Sequence, residues 1–484
     1  MTFVSDLDPE VLWGHFDQIL TIPRGSKEED QIRAYVIQVA ERNDLEHQID
    51  DTGNVVVRKP GTRGKEDAPV TILQSHLDMV NEKNSDVEHD FSKDPIRPVR
   101  DGEWLTADGT TLGADNGIGV ASMLAIMEAD DLTHGPLEFL FTIDEETGLT
   151  GAGGLDASML NGRRLVNLDS EEEGALTVGC AGGADTELDL SLETFPAPEK
   201  STTFKVKLHG LKGGHSGLDI HLGRGNAVQL LARMIHAVSR GTPGFLAGLE
   251  GGNKHNAIPR EAWATVVIPE DQSGAFLEEI GEQFQMIQDE YRTVEPTMDL
   301  EITESDLPSK VWATESTWTV LRLLVALPHG VLSMSQDIPG LVETSTNLAV
   351  ARGEGASLEI LMSSRSSVAS ALSWVRRKIR ATSFLAGAGV DEHSGYPGWQ
   401  PDMDSEVLQI VREVHARVLG EEPEVEAVHA GLECGIIGEM VPGMDMISFG
   451  PQIESPHSPD ERVKIDSVRR FYDLLTAVLE RMAE

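Results

Sequence analysis

His76, Asp78, Asp115, Glu145, Glu146, Asp169 and His457 are the residues of this 484-residue chain whose types and settings could do chemistry together. Two histidines and three carboxylates are the set a pair of zinc ions wants: imidazole and carboxylate ligands, one carboxylate to bridge, and coordination left open for water. No thiolate is required. Two metals about 3.5–4 Å apart can share a hydroxide nucleophile and polarise a scissile carbonyl, which is the chemistry of hydrolysis. Of the two adjacent glutamates, Glu146 can bind metal while Glu145 acts as general base toward water and then as acid toward the leaving amine. Asp78, two residues after His76, is suited to accept the other imidazole N–H and fix the tautomer. Taken singly, each of these is more often a solvated loop charge, and only their convergence makes a site.

The elements that must position them read as α/β. VTILQ (70–74) and LEFLFTI (137–143) have the apolar, β-branched texture of buried strands that end just before His76 and Glu145, and RLVNLD closes on Asp169. DMISFG (445–450) is a further strand shortly before His457, and GIGVASMLAIMEA from Gly117 is a helix just after Asp115. Open α/β sheets gather ligands beyond the carboxyl ends of their strands, so four strand ends are expected to deliver these side chains to one edge, joined by Asp115 from its loop. At the N-terminus, Asp8-Pro9 starts a helix with Val11, Leu12, Phe16 and Ile19 on one face. From about Thr186 the texture changes to alternating strand-like segments with helices at 227–239 and near 317–327, until GYPGWQP (395–401) reads as a return linker. Helices over 405–418 and 465–482 follow. The pattern predicts a catalytic domain in two segments, 1–185 and 399–484, around an inserted domain over 186–398.

Composition excludes other functions. With 81 acidic against 39 basic residues the formal charge is −42, which opposes nucleic acid and anionic lipid. The acidic excess fits a salt-rich cytoplasm and an ordinary solvated surface equally. No apolar run reaches transmembrane length, and MTFVSDLDPEVLW has neither a signal nor a transit pattern. Cys180 and Cys434 are too few for a disulfide framework or a thiolate zinc site, so both are expected to be structural thiols in a cytoplasmic protein.

Eight motifs, in order along the chain, resemble the zinc-dependent exopeptidases that include aminoacylase, carnosinase, tripeptidase and aminoacyl-histidine dipeptidase. They are HLDMV (76–80), GADNGIG (113–119), DEETGLTGA (144–152), NLDSEEEG (167–174), GGHSG (213–217), NAIP (256–259), HAGLECG (429–435) and SPHSPDER (455–462). The set is most similar to the aminoacyl-histidine dipeptidase branch, to which Asn116 points, because many relatives carry a second Asp after the equivalent of Asp115. The resemblance implies that Asp115 bridges two Zn2+ ions, with His76 and Asp169 completing one site and Glu146 and His457 the other. Mn2+ or Co2+ are possible substitutes. It implies a cis peptide between Asp115 and Asn116, a substrate carboxylate bound by Arg365, a substrate amine bound by Glu433, and a role for Gly435 in the same motif. His215 and Asn256 are implied to polarise the scissile carbonyl, in cis or from a dimer partner. The fold implied is a zinc-exopeptidase catalytic domain, a mixed sheet flanked by helices, with an inserted α+β lid and dimerisation domain. The activity implied is hydrolysis of dipeptides, preferentially Xaa-His, by a homodimer. N-acyl amino-acid deacylation on the same metal core and a non-catalytic peptide-binding protein stay open as alternatives.

Overall fold

The strands Thr71–His76 and Leu137–Thr142 are buried at every position, which requires a sheet covered on both faces. In the structure, a computed structural model that describes residues 6–484, they lie in the middle of an eight-stranded mixed sheet. Its order is Glu46–Ile49, Val55–Lys59, Leu137–Thr142, Thr71–His76, Arg164–Asn167, Asp445–Ser448, Ala175–Cys180 and Glu424–Val428. The four strands from Leu137–Thr142 to Asp445–Ser448 are mutually parallel, so their carboxyl ends share one edge. Val55–Lys59 and Ala175–Cys180 join this core antiparallel.

Helix Ala114–Glu128 is buried around most of its circumference because it packs on the Thr71–His76 strand and against the helices Glu10–Ile19 and Asp30–Arg42. Helix Glu406–Leu419 is defined at both ends: Ser405 Oγ accepts from the Leu408 N–H, and Gly420 takes a left-handed conformation at φ 81°. It packs against Asp445–Ser448 and the long C-terminal helix Ile465–Met482. One detail of the first helix differs from expectation: Val11 is 50% exposed, and Trp13 joins Leu12, Phe16 and Ile19 in the core instead. A separate antiparallel sheet, in the order Ile453–Glu454, Arg462–Lys464, Trp104–Ala107 and Pro98–Asp101, carries His457 on the loop between its first two strands.

The chain separates into two units. The first runs to Cys180 and resumes over Trp399–Ala427 and Leu432–Glu484; the second is Ala181–Gly398 with Val428–Gly431. The crossing thus precedes the 185/186 position read from texture, because the strand Gly182–Ser191 belongs wholly to the sheet of the second unit. That sheet is antiparallel, with Val342–Glu354 and Ser357–Ser366 paired at its centre; the helices Ala227–Val238 and Ala369–Leu385 pack on these strands, and Ser273–Tyr291 and Thr314–Ala326 on Ala262–Pro269 and Phe245–Gly251. Its core is aliphatic with Phe204, Phe276 and Trp312. The outgoing and returning chain segments run side by side. Cys180 and Trp399 exchange both backbone hydrogen bonds at 2.9 Å, and Gly183 and Tyr396 exchange theirs at 3.1 and 2.9 Å.

Candidate active site

Three parallel strands end on the predicted residues. His76 is the last residue of Thr71–His76, Glu145 and Glu146 follow Leu137–Thr142, and Asp169 stands just past Arg164–Asn167. His457 arrives differently from the fourth strand end that was expected. It projects from the small sheet's loop, in a left-handed conformation at φ 59° that non-glycine residues rarely adopt. Asp115 opens helix Ala114–Glu128, and its peptide bond to Asn116 is cis.

These side chains form two adjoining donor sets. His76 Nε2 lies 3.0 Å from Asp115 Oδ1 and 3.3 Å from Asp169 Oδ1. His457 Nε2 lies 3.2 Å from Asp115 Oδ2 and 2.9 Å from Glu146 Oε2. Asp115 therefore turns one oxygen to each set. In both, two carboxylate oxygens crowd a single imidazole nitrogen that has at most one proton to offer, an arrangement completed by a cation. Glu146 Oε1 is buried without a hydrogen-bond partner among the described residues, a second sign that this donor set is built for something other than protein groups. The triads His76–Asp115–Asp169 and Asp115–Glu146–His457 each have ligand atoms close enough to hold one ion.

The electrostatics agree. Burial opposes a charged His76, yet Asp169, Asp115 and Asp78 together raise its pKa well above the ordinary value. His457, hydrogen-bonded to Asp115 and Glu146, is pushed up to about 11. A proton on each ring does what a metal would do, neutralising buried carboxylates that are otherwise costly. Glu145 is driven well above the carboxylate range, by burial first and then by the neighbouring Asp169, Glu433 and Glu146 carboxylates, against the pull of His76.

Asp78 ties the centre together. Its Oδ1 lies 3.3 Å from His76 Nδ1, in ion-pair range, and accepts the Glu145 N–H at 3.0 Å. Its Oδ2 accepts from the Glu146 N–H at 3.2 Å and from Ser26 Oγ at 2.8 Å. Burial raises Asp78, but His76 and these donors outweigh it and hold the carboxyl at about 2. Asn116 donates from Nδ2 to Asp169 Oδ1 and to the Leu168 carbonyl at 3.0 Å, and is itself held by Ser75 Oγ at 2.7 Å.

Glu433 opens helix Glu433–Met440 and is fully buried. Its Oε2 accepts from Gln74 Nε2 at 2.6 Å and Thr142 Oγ1 at 2.7 Å, whereas Oε1 has no partner among the described residues. Burial raises its pKa to about 7. Gly435 lies buried in the same helix, and both thiols are buried and pushed up by burial, Cys180 to about 11, so neither is a nucleophile.

Within the second unit the structure brings His215, Arg365 and His429 together around Gly217, where a side chain would collide with the His429 carbonyl and crowd the other two. His215 Nδ1 accepts from the N–H groups of Gly217 and Leu218 at 3.2 and 3.0 Å. Burial and then Arg365 lower its pKa, so the ring is neutral and its proton belongs on Nε2, free to be donated. His215 and Asn256 line one cavity of about 560 Å³. Arg365 is buried, bonded through Nη1 to Tyr396 Oη at 2.8 Å, with Nε left without a hydrogen-bond partner among the described residues.

Sequence reading gives no role to Arg24, Tyr396 or Glu461. Arg24, buried in the segment just before the turn at Ser26, donates to the carbonyls of Leu77 at 3.0 Å, Asp78 at 2.6 Å and Gly113. No local spacing marks it, because its partners are distant in sequence. Glu461 falls inside SPHSPDER, so its motif was legible although its partners were not.

Fold and cluster together define a metal-dependent hydrolase: parallel strands ending on two adjoining donor sets with Glu145 beside them. Residues 72–481 match the model of peptidase family M20/M25/M40, and the chain belongs to that family. It is 42% identical over 482 residues to the cytosol non-specific dipeptidase of Escherichia coli, across 100% of this chain and 99% of that protein. The crystal structure of aminoacylhistidine dipeptidase from Vibrio alginolyticus matches with a TM-score of 0.93 at 43% identity, covering 99% of this chain and 97% of that one. An aminopeptidase from Bacillus cereus, at 17% identity and a TM-score of 0.59, shares the fold. The family and the α/β fold with an inserted α+β unit, expected from the motifs, are borne out.

Proposed function

We propose that this protein is a cytoplasmic dipeptidase that hydrolyses Xaa-His dipeptides with two zinc ions per chain. The observation that carries the reading is Asp115, which offers one carboxylate oxygen to each of two donor sets beside Glu145, a glutamate that belongs to neither triad. His76 and Asp169 would hold one ion, His457 and Glu146 the other, with Asp115 between them; Mn2+ or Co2+ are acceptable to the same ligands. The chemistry a bound pair supplies is Lewis acidity at the scissile carbonyl and activation of water at neutral pH.

Glu145 takes the proton from the attacking water as its oxygen bonds to the carbonyl carbon, then delivers that proton to the departing amine nitrogen as the C–N bond breaks. Asp78 fixes the His76 ring and both glutamate amides. The buried Oε1 of Glu433, without a partner among the described residues, suits a substrate ammonium, and the Arg365 guanidinium of the second unit suits a substrate carboxylate, the two groups that recognition of a free dipeptide calls for. His215, with its proton on Nε2, and Asn256 are the donors assigned to the developing oxyanion, and Gly435 is assigned to the substrate pocket. Names of similar proteins support the substrate class: one is a cytosol non-specific dipeptidase and one an aminoacylhistidine dipeptidase. We place the inserted unit at a homodimer interface.

The test is a panel assay with purified protein and defined metals. Gly-His, Ala-His and β-alanyl-His should be cleaved, N-acetyl-histidine should not, and Glu433→Ala should impair the dipeptides. Intact dipeptides would refute the reading, and cleavage of the blocked substrate would favour a deacylase. Size-exclusion chromatography of the same preparation reports the dimer.

A further inference from the structure

We propose that Glu461 is the positioning residue that keeps the His457 loop and Asp115 in mutual register, and that its loss releases the ion of the His457–Glu146 set while sparing that of the His76–Asp169 set. The inference rests on the two-metal reading above. It begins with an unusual hydrogen-bond count on one side chain. Glu461 is only 2% exposed, and its Oε2 accepts from the N–H groups of Leu112 and Gly113 at 2.7 and 2.9 Å. Its Oε1 accepts from Ala114 and Asp115 at 2.7 and 3.2 Å. Four consecutive amides, running into the start of helix Ala114–Glu128, are thus satisfied by one carboxylate. These amides precede the regular turns of the helix, since Asp115 and Asn116 have non-helical backbone angles, and one carboxylate thus satisfies four backbone donors. Arg24 grips the same segment from its carbonyl side at Gly113.

The consequence is selective because the two donor sets are anchored differently. His76 ends a central strand and has Asp78 at its other nitrogen, while Asp169 is held by Asn116, which Ser75 and the Leu168 carbonyl hold in turn. None of these contacts passes through Glu461, which reaches the His76 set only through the N–H of the shared Asp115. His457, by contrast, is 52% exposed and sits in a loop with two left-handed residues, Ser455 at φ 54° and itself at φ 59°. Four residues further on, Glu461 fastens that loop to the backbone of Asp115. The distance from His457 Nε2 to Asp115 Oδ2 is thereby set by one short stretch of chain between two fixed points.

The experiment is a calorimetric titration of chelator-stripped full-length protein with Zn2+, comparing the parent, Glu461→Gln and His457→Ala. An amide at 461 keeps the shape but turns an NH2 group toward backbone donors. The parent should take up two ions, and His457→Ala identifies which binding step belongs to its set. Glu461→Gln should weaken that step by about 10- to 100-fold, the usual cost of removing a ligand's supporting group, and leave the other within about threefold. Excess Zn2+ should restore kcat to this variant, a rescue that general destabilisation would not give. If Glu461→Gln does not accumulate as folded protein, Glu461→Asp, which keeps the charge and shortens the reach, is judged by the same two steps. A parent that binds one ion overturns the two-metal reading and this inference with it. A parent with two ions and a variant that weakens both steps alike, or neither, overturns the inference alone.

Discussion

Asp115 and Glu145 divide the chemistry between them at the scale of single residues. Asp115 is shared by both imidazoles, and burial, which would raise its pKa, is outweighed by His457 and His76, which hold it far below the usual range. Glu145 is adjacent in sequence to Glu146 but unlike it has no place in the Asp115 triads. Glu145→Gln is therefore expected to keep its metal and lose about a hundred- to ten-thousand-fold in kcat, measured by elemental analysis beside the peptide assay. His457→Ala should lose metal as well as activity, so equal metal content in the two variants would contradict the division. Asp78→Asn removes the charge that faces His76 Nδ1 and the acceptor of two backbone amides. Its metal affinity should drop by about 10- to 100-fold in competition with a chromogenic chelator.

Elements, in turn, decide which of these residues were legible in the sequence. Strand ends were readable because a buried run that stops on His, Glu or Asp leaves the polar side chain at the sheet's edge, and His76, Glu145, Glu146 and Asp169 obey this. His457 did not, since the turn that delivers it belongs to a small sheet assembled from distant segments. Arg24, Glu461 and Tyr396 act through backbone or side-chain partners far away in the chain, which leave no periodic trace. The helix after Asp115 shows how tightly element and site are joined. Gly119 faces the sheet, and a methyl group there would collide with Asn116 Oδ1 and Ser75 Oγ. Gly119→Ala should cost about 1–3 kcal/mol by overpacking and should also weaken metal binding, because Asn116 can no longer support Asp169. Differential scanning calorimetry and metal titration check the two effects, and full metal affinity in a destabilised variant would separate them.

For the whole molecule, charge and acid set the conditions of stability. A formal −42 repels itself, so raising NaCl from about 0.1 to 1 M, which shortens the screening length from roughly 10 to 3 Å, should raise the thermal midpoint. His329 and His429, in the second unit, are held at about 4, His329 by burial and His429 by burial and then by Arg365 and His215. Both lie below the ordinary value near 6.5, so the unfolded chain binds more protons between those limits. Their contribution is complete above about pH 6.5 and is lost as the pH falls toward 4. His429→Asn should flatten the decline of the midpoint between pH 7 and 5 in metal-free protein, and an unchanged slope would exclude this source. The order of strands carries a consequence for synthesis. Asp445–Ser448 is laid between Arg164–Asn167 and Ala175–Cys180, so the central sheet keeps an open slot until that late strand emerges from the ribosome. Most of the inserted unit, Ala181–Gly398, is translated before that strand, and its last short piece, Val428–Gly431, follows only after Trp399–Ala427. A nascent chain therefore carries most of the insert while the catalytic unit is half made, and translation that stalls before His457 leaves a product without a complete donor set.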